Sequence, residues 1–278
     1  MKIDEMEIRS DPDRTRQRLD ALDQYFQSEV FHGEKFVCKC CSKCTESHPK
    51  HFFKGQLHHV GTHYDLRANG RPFRIAIIGQ EDGSSWEFQT LEDRRCRIRK
   101  SAANGFAKRN PHMRGTTSAL RLIFGREPDT DTGGEFLSIG GQRVHLFECF
   151  VLINFLLCSA LAAAPGSERP RHGAARGNST PVMRANCATH LRKALQVLEP
   201  NLIIAQGVGV SKWMAAAGMG TSTKESEEIE FGAGRALMLK FSHPAARFPL
   251  NWGTSASTPY LLETVKPTIR SAVARLLQ

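Results

Sequence analysis

Glu81 and Asp82 stand side by side between Gly79 and Gly83, directly after the apolar run Ile75-Ala76-Ile77-Ile78. Adjacent carboxylates at a strand end can do general acid–base work or stabilise a developing cation. Gln80 adds an amide that can both donate to and accept from a ligand. A second chemical group, Ser242-His243-Pro244, closes the apolar stretch at residues 235–241. An imidazole there can donate to a developing anion. Asn154 interrupts a third apolar stretch, residues 146–157. The remaining chemistry lies in cysteine and histidine. Cys38, Cys40, Cys41 and Cys44 precede His48, His51, His58, His59 and His63, and Cys96, Cys149, Cys158 and Cys187 follow. Cys41-x2-Cys44, then His58 and His63 with four residues between them, fits a zinc site. It does so without the apolar residues a finger packs around: His48 stands where a Phe is expected, and Gly55 and Gly61 weaken the finger helix. Thiolates alone suit an iron–sulfur cluster.

Something must hold these groups in place. The runs at 75–78, 146–157, 202–207 and 235–241 read as buried strands. Helical spacing covers residues 11–30, with Ser10 as expected N-cap, then 182–198 and 210–217. A helix ending near Phe124 is entered through Gly115-Thr116-Thr117, and residues 259–277 form an amphipathic helix interrupted at Pro267. Gly-rich loops occupy 127–142 and 165–181. Strands alternating with helices predict a three-layer α/β/α sandwich around a central four-stranded, mostly parallel sheet. In such sheets ligands sit beyond the carboxyl ends of the strands, where Glu81, Asn154 and His243 fall. There is no internal repeat.

The 278 residues carry a formal charge of +10, which favours an anionic partner and nucleic acid first. No stretch is long and apolar enough to span a bilayer, so no membrane role is expected. The N-terminus lacks an apolar signal region, which predicts a cytosolic protein. Eight cysteines in such a compartment point to metal or reactivity before disulfides.

In order and context these features resemble the uracil-DNA glycosylase superfamily, over roughly residues 38–250. Gly79-Gln80-Glu81-Asp82-Gly83 occupies the place of its first motif, Asn154 that of its base-reading asparagine, and His243-Pro244-Ala245 that of its last motif. The iron–sulfur branch, family 4, is closest. There, Ile153-Asn154-Phe155-Leu156-Leu157-Cys158 matches the phrase carrying the third cysteine, and Gly177-Asn178-Ser179-Thr180-Pro181 precedes the fourth, Cys187. Three departures stand out. The first motif has no proline, the place of the base-stacking ring holds His112 or Met113, and the loop between Cys158 and Gly177 is longer.

The resemblance implies a DNA glycosylase that flips a pyrimidine and hydrolyses its glycosidic bond. Glu81, Asp82 and His243 would be catalytic, and Gly79, Gln80, His112, Met113 and Asn154 would bind the base. Arg114 and Thr116 would hold phosphate at a helix start, and Arg247 with Phe248 would wedge into the duplex. A [4Fe–4S] cluster on Cys41, Cys44, Cys158 and Cys187 is implied, with Cys38 a substitute for Cys44 and Zn2+ the alternative. The altered pocket predicts a modified pyrimidine, such as a hydroxymethylated or glycosylated cytosine in foreign DNA, over plain uracil. That would make the protein an antiviral defence enzyme rather than a repair enzyme. Residues 1–37 read as a helical segment, residues 38–278 as the glycosylase-like domain, and 38–63 as its metal-binding insertion. DNA is the expected partner and a monomer the expected state. The competing reading is an inactive nucleic-acid-binding protein that keeps the fold and the metal.

Overall fold

Ile75, Ala76, Ile77 and Ile78 are completely buried, as a run without polar positions must be when both faces of its strand are covered. They form the heart of the central sheet in the computed structural model, which describes residues 6–33, 35–48, 52–83, 88–161, 179–221 and 224–278. The sheet comprises β1 (His59–Val60), β2 (Ile75–Gly79), β3 (Val151–Asn154), β4 (Leu202–Gln206), β5 (Ser226–Phe231) and β6 (Gly234–Phe241). Their order is β5-β6-β4-β2-β3-β1. β2 lies parallel to both β3 and β4, and β4 parallel to β6. The predicted four-stranded parallel core is therefore present, widened by antiparallel edge strands β1 and β5.

Helices α1 (Pro12–Glu29), α2 (Cys41–Ser47), α3 (Leu91–Ala103), α4 (Pro111–Ile123), α5 (Pro181–Leu198), α6 (Val208–Ala216) and α7 (Lys266–Leu277) surround it. Side chains of the core strands alternate between two apolar layers. Ala76, Ile78, Val151, Ile153, Ile203 and Met238 meet Leu22 and Phe26 of α1, Leu191 and Leu195 of α5 and Met214 of α6. Ile75, Ile77, Leu152, Ile204 and Leu239 meet Leu120 and Ile123 of α4 and Ile269 and Val273 of α7. Each fully buried Leu or Ile contributes roughly 1.5–3 kcal/mol, so these two layers dominate stability. α1, at the amino end of the chain, is built into the first of them.

Local chemistry sets the helix starts, twice differently from expectation. α1 is capped by Asp11, whose carboxylate accepts the Arg14 N–H at 2.9 Å with Pro12 next in line, so Ser10 is not the cap. α4 begins at Pro111, where the Asn110 side chain accepts the Met113 N–H at 2.8 Å. Gly115, Thr116 and Thr117 therefore lie inside the helix instead of leading into it. A Cβ on Gly115 would stand 2.6 Å from the Pro244 ring, so glycine lets α4 press against the chain leaving β6. That contact brings the start of α4 beside His243.

Candidate functional site

The carboxyl ends of the parallel strands open into a cleft of about 330 Å³. Gln80, Glu81, Asp82 and Gly83 form its strand-end wall, His112 and Met113 its α4 side, and His243 its far side. Gly83 has φ +66°, a left-handed turn that glycine accommodates and that ends the wall. Glu81, Asp82, Gln80, His112, Met113 and His243 are thus gathered at one place, as expected.

The two carboxylates differ in kind. Glu81 accepts the Ala160 N–H at 2.9 Å through Oε2 and a long 3.4 Å contact from Gln80 through Oε1. Burial pushes its carboxyl up to about 7, with nearby Asp82 adding to the rise and the Ala160 and Ser159 hydrogen bonds opposing it. A carboxyl that titrates near neutrality is suited to exchange protons with a substrate or water. Asp82, with a side chain only 3 % exposed, is clamped instead. Arg94 contacts Oδ1, Arg97 Nη1 donates to Oδ2 at 2.5 Å, and Gln89 Nε2 donates at 3.2 Å. Its role is to fix the arginines and the turn. Of the two, Glu81 is the group able to act as base.

His112 and His243 lie nearly parallel, 18° between planes and 5.8 Å between centroids. Burial, then His243 and Arg94, lower the His112 pKa to about 3, so its ring is neutral. His243 is open to the cleft, and partial burial lowers its pKa as well. Its Nδ1 accepts the Ala245 N–H at 3.1 Å, so the neutral ring carries its proton on Nε2, as a donor. Met113 is 5 % exposed and belongs to the core, which leaves His112 as the flat ring facing the cleft.

Other expected site residues fall elsewhere. Gly79 ends β2 beneath the His112 ring, where a Cβ would stand 3.4 Å from His112 Cε1. Asn154 ends β3 opposite Gly79 but is buried outside the cleft wall. Its side-chain nitrogen donates to the carbonyls of Gln56 and Leu57 at 3.3 Å each, and its N–H donates to His58 Nδ1 at 3.2 Å. Thr116 is fully buried and within 3.5 Å of the Gln206 amide, which rules out a phosphate contact and corrects that assignment. Arg114 is half-buried on the first turn and a half of α4. Arg247 is exposed and Phe248 is 78 % exposed, so the loop after His243 projects an apolar ring into solvent. Arg94, Arg97 and Ser101 were not anticipated. They recur at i, i+3 and i+7 along α3, and that spacing was the available signal.

A separate hollow is lined by Cys38, Cys40, Cys41, Cys44, Cys158 and Cys187. Cys44 Sγ accepts Asn186 Nδ2 at 3.2 Å, and Cys38 Sγ lies 3.8 Å from His190 Nε2. All these thiols are free, and burial raises Cys158 well above, and Cys187 to about 12 from, the ordinary thiol value. Six cysteines from three chain segments line this one small hollow, a soft donor set of the kind an iron–sulfur cluster takes. Among the described residues no group of three or more His, Cys, Asp or Glu side chains could hold a single metal ion. The zinc pattern does not assemble: His58 packs edge-on to Phe26, His63 Nδ1 bonds Ser10 Oγ at 2.8 Å, and neither lines the hollow. Cys149 is core and Cys96 is on the surface. Gly177, Asn178 and most of the 165–181 loop lie outside the described residues.

No family model matches the chain, and no curated protein matches it.

Proposed function

We propose that this chain is a DNA glycosylase that draws a pyrimidine out of DNA and hydrolyses its N-glycosidic bond, leaving an abasic site. One observation carries the reading. A carboxyl titrating near 7 (Glu81) and a neutral Nε2–H imidazole (His243) face one cleft at the carboxyl ends of a parallel sheet. In the reaction the C1′–N bond breaks and its electron pair leaves with the base. The Nε2–H of His243 donates to the base carbonyl where that charge collects. Ionised Glu81 stabilises the positive charge on the sugar and accepts the proton of the water that adds to C1′. His112 offers a flat neutral wall to the flipped base, and the exposed Phe248 fills the gap left in the duplex.

Cys41, Cys44, Cys158 and Cys187 would hold a [4Fe–4S] cluster, with Cys38 and Cys40 within the same hollow. Its contribution is structural: it would tie α2, the segment after β3 and α5 together. A histidine wall in place of a benzene ring favours a modified pyrimidine over plain uracil. The test is a panel of duplexes carrying uracil, 5-hydroxymethylcytosine and glucosylated cytosine, assayed for abasic sites by alkaline cleavage. Excision from any of them, lost in Glu81→Gln, supports the reading. Binding to DNA with no excision across the panel overturns it in favour of a catalytically inactive DNA-binding protein.

A further inference from the structure

Of two buried arginines, Arg94 lines the cleft and Arg109 lies outside its lining, and their surroundings differ sharply. Arg109, 4 % exposed, is fully engaged: it donates to Ser101 O, Ala102 O, Asn104 O, Thr117 Oγ1 and both oxygens of Glu135. Arg94, 7 % exposed, has one acceptor among the described residues, the Asp82 carboxylate, reached through Nη1. Its Nε is enclosed and makes no hydrogen bond. A buried donor left unmatched costs about 1–3 kcal/mol, more for a charged group. Arg94 lines the cleft, and its Nη2, which is not enclosed and has no acceptor among the described residues, is the donor that whatever enters the cleft can meet.

A second feature points to the same place. The first turn of the 13-residue helix α4, Asn110 to Met113, forms the neighbouring wall, and the positive end of its dipole faces the cleft. Ser101, one helical face along from Arg94, adds a hydroxyl.

We propose that the cleft holds an oxyanion, a carboxylate or phosphate carried by the nucleotide, between the Arg94 guanidinium and the first turn of α4. The inference rests on the nucleotide reading of the cleft for the identity of the carrier, but the anion site itself stands on Arg94 and α4. A guanidinium prefers such acceptors because they match its fork of donors in shape and charge. The acid could be a substituent on the pyrimidine or the phosphate of the extruded nucleotide.

Small probes separate these sources, and no bond cleavage is involved. Calorimetric titration of the full chain at pH 6, where most Glu81 is protonated, compares uracil, orotate (a pyrimidine carboxylate), deoxyuridine 5′-monophosphate and inorganic phosphate. The expected result is that at least one anionic pyrimidine binds roughly 10- to 100-fold tighter than uracil, the range set by one charge-assisted hydrogen bond. Preference for orotate identifies a base carboxylate, and preference for the monophosphate a backbone phosphate. Arg94→Gln should abolish the preference. Should that variant fold poorly, Arg94→Lys decides, since it keeps the charge beside Asp82 but loses the fork of donors, and it should cut the preference about tenfold. Equal affinity for uracil and both anionic pyrimidines, an unchanged preference in folded Arg94→Gln, or an unchanged preference in Arg94→Lys would each overturn the proposal. Anion binding without excision would refute the glycosylase reading alone.

Discussion

Replacing Glu81 by Gln should stabilise the protein at alkaline pH while removing its activity. Burial first of all pushes this carboxyl up from its ordinary value near 4.5 to about 7. At 1.36 kcal/mol per unit this is roughly 3 kcal/mol of resistance to ionisation in the folded state. A raised acid pKa means the folded protein holds the proton more tightly than the unfolded chain. Stability is therefore greatest below pH 4.5 and falls as pH rises towards 7, after which the full penalty persists. Glu81→Gln keeps an oxygen for the Ala160 N–H and never ionises, so it escapes the penalty. Urea unfolding of both proteins at pH 5 and pH 8 should show the variant gaining about 2–3 kcal/mol relative to wild type between the two. In parallel, wild-type excision should rise with pH through about 7 as the base ionises. A stability difference that does not change with pH would show that Glu81 is not desolvated and would remove the ground for its role.

His243→Ala should lower excision by roughly 10²-fold through loss of the donor at the base carbonyl, measured by single-turnover cleavage. Because the ring acts neutral, the wild-type contribution should persist to pH 9, and an activity confined to acid pH would refute that role. Cys158→Ala or Cys187→Ala should bleach a brown protein in the visible spectrum and lower its melting temperature, because both side chains sit in the core layer beside α5. A colourless wild type that keeps its stability after iron chelation would exclude the cluster. Phe248→Ala should leave stability within about 0.5 kcal/mol, since the ring is 78 % exposed. It should reduce excision from duplex several-fold more than from single-stranded DNA, and equal losses on both would rule out the wedge.

The parallel core was legible because strands covered on both faces must be apolar throughout, as Ile75–Ile78 and Leu202–Ala205 are. The edge strands were not. β5 buries only Ile229 and Phe231 among Glu227, Glu228 and Glu230, and charge on an edge reads as a loop while serving to block further pairing. β1 spans two residues and has no periodicity to detect. In the site, Glu81 and His243 were legible because strand ends point at ligands. The separation of Glu81 from Asp82 was not, since it depends on which neighbour meets an arginine from α3. Thr116 was misread because the start of α4 is decided by the Asn110 cap and Pro111, ahead of the glycine taken as the turn.

A basic helix such as α3 ordinarily reads as a solvated face, and only its docking gives Arg94 and Arg97 a purpose. That docking depends on Arg109, which lies outside the cleft lining. Its guanidinium takes up the last carbonyls of α3 and the Thr117 hydroxyl of α4 at once, and Glu135 neutralises it within a wholly buried pair. Breaking such a pair by removing one partner costs about 3–5 kcal/mol, far more than a surface ion pair contributes. Arg109 also immediately precedes the Asn110 cap, so the same residue that joins the two helices starts the turn carrying His112. Arg94 and the His112 ring, which line the cleft from two different helices, are therefore positioned by a single buried cation. Nothing in the sequence sets Arg109 apart from the other arginines around it, and only its burial shows that it shapes the cleft.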